Sequence, residues 1–190
     1  LTKSTLRSFK RRSNRMIPFH TEEELCTFLG LTQAELYKYI KYPKSFYHVF
    51  YINKDTGNIV PFDPNLRLRK ICAPSRALSN VLKRLAWWLN TFPKNEVNYA
   101  FMKHRSTARA VQALAYNKVL VRIDLKSFFP SHTGYYMYKK LSKLITSDPQ
   151  EAKSLRKVLV LVCRLLAPVG NLLQGSPTSP VLSLILNYEM

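Results

Sequence analysis

The residues Leu78, Val81, Leu82, Leu85, Trp88 and Leu89 recur at steps of three and four within 74–91. That period predicts an amphipathic helix with one buried stripe, and both Trp87 and Trp88 read as packing residues rather than base-stacking platforms. Further helices are predicted over 105–115, 136–145 and 154–166, with an apolar helix-like segment at 181–190. Thr21 and Thr32 each stand three residues before a glutamate, Glu24 and Glu35, the spacing of a capping box at a helix start. The first of these helices should end at Gly30. Residues 46–52 alternate aromatic and β-branched positions, Lys54-Asp55-Thr56-Gly57 supplies turn chemistry, and 58–61 resumes an extended piece, so a hairpin is expected. A second β-branched run, 119–123, reads as a strand. Helices and short strands alternate without repeats or low-complexity linkers, which predicts an α+β fold of helices packed on short antiparallel strands.

Charge changes this picture most. Thirty Lys and Arg against eleven Asp and Glu give a net charge of +19 on 190 residues, a balance that points to a polyanionic partner, nucleic acid first. With 46% hydrophobic and 12% aromatic residues the chain has enough apolar material for one good core or two small subdomains, which excludes a disordered basic tail. Residues 1–20 hold Lys3, Arg7, Lys10, Arg11, Arg12 and Arg15 without an acid, a basic arm that either meets phosphates or is a solvated terminus. No run approaches the roughly 18–20 apolar residues of a membrane span, so a soluble, cytoplasmic protein without a membrane partner is expected. Cys26, Cys72 and Cys163 are odd in number and far apart, and read as reduced packing residues.

Candidate chemistry is concentrated in three segments. Asp124 is the one acid that directly follows a strand-like run. A carboxylate there is costly to bury unless paired or bound to a cation; the ordinary alternative is a cap on the next turn. Arg67 and Arg69, two apart, would share one face of a strand, where guanidiniums can grip a triphosphate bidentately, or simply lie on a solvated face. Gln174-Gly175-Ser176-Pro177 combines an amide with a glycine that lets backbone approach a ligand, or is a turn that starts a helix.

Together these segments resemble blocks of one family. Asp124-Leu125-Lys126-Ser127-Phe128-Phe129-Pro130-Ser131 is similar almost residue for residue to the D-x-x-x-F-F-P-S pattern of retron-type reverse transcriptases. Gln174-Gly175-Ser176-Pro177-Thr178-Ser179-Pro180 resembles their Q-G-x-P-x-S-P block, and the stretch from Arg67 to Arg76 their R-x-R-x-I-x-x-P-S-R fingers segment. The resemblance implies a right-hand polymerase fold: a basic arm at 1–20, fingers over 21–117 and the first part of a palm over 118–190. It implies an RNA-directed DNA polymerase of the bacterial retron or phage-defence branch. Asp124 would then be the catalytic metal ligand for Mg²⁺, two such ions being needed for nucleotidyl transfer. Arg67, Arg69, Leu125, Phe129 and Gln174 would contact the nucleotide, with Phe129 packing under the sugar and excluding a 2′-hydroxyl. Lys103, Arg105, Ser106, Gly175 and Ser176 would contact nucleic acid. The family completes its metal site with a Tyr-x-Asp-Asp turn, and no Asp-Asp pair occurs in this sequence, so the remaining carboxylates are expected past Met190 in the remainder of a polymerase chain. The partners the resemblance implies are an RNA template, with a noncoding RNA as a stable subunit one form of it, a DNA product or RNA–DNA hybrid, dNTPs and an effector protein. A different class fits the basic surface too: a non-catalytic RNA-binding module or split subunit.

Overall fold

The computed structural model describes residues 17–95, 98–102 and 104–187. Most of the basic arm and Lys103 therefore lie outside the described residues. The fold is α+β, with seven α-helices and one small antiparallel sheet among the described residues. In chain order these are α1 (Glu22–Leu29), α2 (Gln33–Lys41), β1 (Tyr47–Asn53), β2 (Ile59–Val60), β3 (Leu68–Pro74), α3 (Arg76–Leu89), α4 (Thr107–Leu114), α5 (Gly134–Ile145), α6 (Pro149–Leu166) and α7 (Ser179–Leu186).

Local chemistry accounts for the element boundaries. Both capping boxes form: the Thr21 and Thr32 hydroxyls accept from the amides of Glu24 and Glu35, whose carboxylates accept in return. Gly30, in the left-handed region at φ 65°, closes α1 while its amide donates to Thr27. Ser75 caps α3 directly after Pro74, and Asp148 with Pro149 starts α6 five residues ahead of the expected 154. Sequence periodicity missed that first turn because it is polar and contributes nothing to the apolar stripe.

The helices enclose the core. The stripe Leu78, Val81, Leu82, Leu85, Trp88 and Leu89 of α3 is buried as expected. It packs with Leu25 and Leu29 of α1, Met137 and Leu141 of α5, Leu155, Leu159 and Val162 of α6, and Leu182 and Ile185 of α7. Trp88 meets Phe19 and Phe92 edge-on at 5.0 and 5.2 Å, an arrangement favoured by the ring quadrupoles. Trp87 departs from the packing expectation: it is 68% exposed, because its place on α3 turns it away from the stripe. Glu22 is buried at the foot of α1, where its carboxylate accepts from Lys157 Nζ at 2.8 Å and from the Tyr37 hydroxyl at 3.1 Å. The hydrogen bond from Lys157, with Tyr37 assisting, holds this carboxyl below its ordinary range despite the opposing effect of burial.

The sheet has the order β2-β1-β3, with Tyr51 opposite Lys70, Ile52 opposite Arg69 and Phe50 opposite Ile71. Its hairpin turn sits where the turn residues lie: the Asn53 side-chain oxygen accepts from the amides of Asp55 and Thr56, and Gly57 takes φ 76°. Of the strand residues only Asn53 and Cys72 are buried, so the sheet flanks the helical core instead of forming part of it.

The strand expected at 119–123 does not form. Val119, Leu120, Val121 and Ile123 are 64–82% exposed in an irregular segment. A strand exists only through its partners, and among the described residues no strand lies beside this one.

Candidate nucleotide-binding cavity

Four stretches of chain meet at one cavity of about 760 Å³, the hairpin turn contributing Lys54. β3 contributes Arg69, Lys70 and Cys72, the segment after 123 contributes Asp124, Leu125 and Lys126, and the turn before α7 contributes Leu173 and Gln174. The outer edge of β3 is the joint, since β1 occupies the other side and leaves the Cys72 amide free to donate to the Gln174 carbonyl at 2.8 Å. Close approach requires Gly175: at φ 105°, a Cβ there would lie 2.8 Å from Ile71 Cγ2 and 2.9 Å from the Cys72 oxygen. Behind this joint, the Ser179 hydroxyl donates to the Leu173 carbonyl at 2.7 Å.

Asp124 is exposed and makes no hydrogen bond or ion pair among the described residues. The capping role therefore falls away. The chain turns immediately after it, with Ser127 at φ 53° and the Ser131 amide donating to the Ser127 carbonyl at 3.0 Å. His132 anchors the far end of this turn. Its ring Nδ1 is 2.7 Å from the Phe128 carbonyl and its Nε2 is 3.2 Å from the Asn187 amide nitrogen. The Asn187 amide also donates to Ser183, so the consistent assignment has Nδ1–H donating to Phe128 while Nε2 accepts from Asn187. The turn carrying Asp124 is thereby tied to the end of α7.

Electrostatically the lining is lopsided. Lys54, Arg69, Lys70 and Lys126 face it with Asp124 as the single carboxylate, an arrangement suited to a polyanion such as a triphosphate and to one cation held beside it. Asp124 can serve as one ligand of a divalent ion. Among the described residues no group of three or more His, Cys, Asp or Glu stands close enough to hold one, so the ligand set is not complete in these residues.

Of the residues singled out by sequence, Arg69, Asp124, Leu125 and Gln174 are brought together here. Arg67 is not: it precedes β3, and its guanidinium pairs with Asp55 at 3.0 Å on the hairpin. The half-buried Phe129 packs against the helical core and meets Phe128 edge-on, while its neighbour Pro130 lines the cavity. Gly175 is exposed beside the cavity, but Ser176 is buried, its hydroxyl 2.9 Å from that of Thr178. Arg105 stacks over Tyr99 at 4.8 Å in a separate groove with Arg109 and Gln112, and Ser106 caps α4. Lys54, Lys70 and Lys126 were missed as site residues. Lys70 and Lys126 each carried a signal, their places within the Arg67–Arg76 and Asp124 blocks, and Lys54 carried none.

No protein-family model matches the chain. Among curated proteins it is 27% identical to the retron Mx65 reverse transcriptase of Myxococcus xanthus, over 96% of this chain and 47% of that protein. It is 30% identical to the retron Ec73 reverse transcriptase of Escherichia coli, over 59% of this chain and 38% of that protein. The chain thus spans about half, or less, of the curated relatives it matches. With the Arg69, Asp124 and Gln174 segments joined at one cavity and this similarity running through them, the curated homologues of the chain are retron reverse transcriptases.

Proposed function

We propose that the protein is the nucleotide-gripping part of an RNA-directed DNA polymerase of retron or phage-defence type, with residues 21–117 as fingers and 118–190 as the first part of a palm. The observation that carries this reading is the convergence of Arg69, Asp124 and Gln174, from three distant segments, on one basic cavity. Arg69 would grip the triphosphate of a dNTP, Gln174 would meet the incoming nucleotide or template, and Leu125 and Phe129 would bound the sugar. Arg67, Lys103, Arg105, Ser106, Gly175 and Ser176 would contribute at most peripheral contacts to nucleotide or template. Asp124 would supply one ligand to Mg²⁺, the ion that neutralises the triphosphate and activates the attacking hydroxyl; further carboxylates would have to come from outside the described residues. The basic surface, including the arm at 1–20, would follow the RNA template and the hybrid duplex in the cytoplasm. A noncoding RNA subunit and an effector protein remain the partners to look for.

The solitary carboxylate favours a second reading, a non-catalytic RNA-binding module. Primer extension on an RNA template with Mg²⁺ and dNTPs separates the two. The polymerase reading expects DNA synthesis by the full natural protein and its loss in Asp124→Ala with RNA binding retained. RNA binding without nucleotide incorporation by the full protein, alone or with co-purified RNA, would establish the module.

A further inference from the structure

A second groove, of about 650 Å³, shares no lining residue with the Asp124 cavity. It runs between α5 and α6, where Tyr135 and Tyr138 face Arg156 and Arg164 over an apolar floor that includes Ile40 and Val160. No Asp or Glu lines it, and neither arginine has an ion-pair partner among the described residues. Tyr135 is 75% exposed, so its ring is presented to solvent instead of serving the core. Arg156 and Arg164 stand two turns apart on α6, about 12 Å along the helix axis, far enough to engage separate phosphates of one strand.

We propose that this groove binds a single-stranded nucleic acid, its phosphates held by Arg156 and Arg164 and a base stacked on Tyr135. Aromatic faces among unpaired cations are the elements of sequence-tolerant strand binding. A carboxylate-rich peptide would engage the guanidiniums and leave the Tyr135 ring in water, whereas a nucleotide strand uses both. The proposal goes beyond the polymerase reading and does not depend on catalysis, since the groove shares no lining residue with the Asp124 cavity.

The test is photocrosslinking of the protein to short 4-thiouridine RNA and 4-thiothymidine DNA oligomers, with adducts mapped by mass spectrometry, alongside fluorescence anisotropy of variants. Adducts are expected on α5 or α6, at Tyr135 or its neighbours, and the stronger arm identifies RNA or DNA as the occupant. The double variant Arg156→Ala, Arg164→Ala should weaken strand binding about tenfold and lower the salt slope by about 1.4. Tyr135→Ala, which leaves net charge unchanged, should weaken it about fivefold, the stacking of one base. The charge-matched Lys83→Ala, Lys153→Ala control, both exposed and outside the groove, should change affinity little. Equal losses in the two double variants, or adducts that never map to α5 or α6, would overturn the proposal. So would a groove variant that loses binding to polyglutamate but not to either oligomer, which would make the groove a site for acidic protein. Melting temperatures near that of the parent are expected, because every side chain substituted for affinity is largely exposed.

Discussion

The amide of Cys72 donates to the carbonyl of Gln174 at 2.8 Å, joining residues a hundred positions apart across the outer edge of β3. This single backbone contact closes one side of the Asp124 cavity and places Arg69 and Gln174 on a common wall. It depends on Gly175. Gly175→Ala should therefore destabilise the protein by about 1–3 kcal/mol, since the added carbon meets strand backbone and the φ of 105° disfavours any Cβ. Hydrogen exchange at the Cys72 amide checks the mechanism: it should accelerate more than exchange within α3.

Arg67 and Arg69 should behave differently although they lie two residues apart. Arg69 faces the cavity without an ion-pair partner among the described residues, whereas Arg67 is paired with Asp55 on the hairpin. Arg69→Ala is expected to raise the KM for dNTP about tenfold or more, the loss of a charge-assisted contact of about 1.5–3 kcal/mol. Steady-state kinetics of Arg67→Ala in the full protein should remain within about threefold of the parent, because exposed pairs contribute about 0–1 kcal/mol.

Asp124→Asn should leave the melting temperature almost unchanged, within about 0.5 kcal/mol of stability, because the carboxylate is exposed and engages no partner among the described residues. Nucleotide incorporation should vanish in the same variant. A large drop in thermal stability would instead mean that Asp124 serves the fold.

The buried Glu22 gives a pH signature. Its folded-state carboxyl is held below the ordinary value of 4.5, chiefly by Lys157, so on acidification the group binds fewer protons in the folded protein than in the unfolded one. The stabilisation is present above pH 4.5 and is lost as pH falls through the depressed folded value. Denaturant titrations of Glu22→Gln should show a deficit of about 1 kcal/mol near neutrality. The deficit should shrink on acidification below that range.

His132→Ala removes the link between the turn after Asp124 and the end of α7. A loss of about 2 kcal/mol is expected, from the emptied buried site and two lost hydrogen bonds, while the Phe128 carbonyl keeps its bond from the Ser131 hydroxyl and the Asn187 amide its bond to Ser183. Chemical denaturation measures it, and His132→Gln should recover part of it by keeping one hydrogen bond.

Burial pushes the Cys163 thiol up to about 12. Modification by a thiol reagent near pH 8 should therefore leave Cys163 untouched until the protein unfolds, as peptide mapping after brief labelling will show.

Sequence by itself determined the features that arise from neighbours along the chain. The two capping boxes, the Gly30 stop, the hairpin turn at 54–57 and the buried stripe of α3 each follow from residue type and spacing within one or two turns. The Asp124 and Gln174 blocks stood out in the same local way, by residue type and spacing, as candidates. Tertiary structure decided what depends on distant partners. The apolar alternation of 119–123 encodes a strand face but no hydrogen-bonding neighbour, so the segment stays exposed and irregular. Trp87 and Trp88 are adjacent and alike in sequence, yet only Trp88 falls on the side of α3 that meets Phe19. Arg67 was drawn off by Asp55, and Lys54 and Lys70 joined the cavity because β3 lies against Gln174. Spacing along a chain fixes which face a side chain takes within its own element; which surface that face meets is set by how the elements pack.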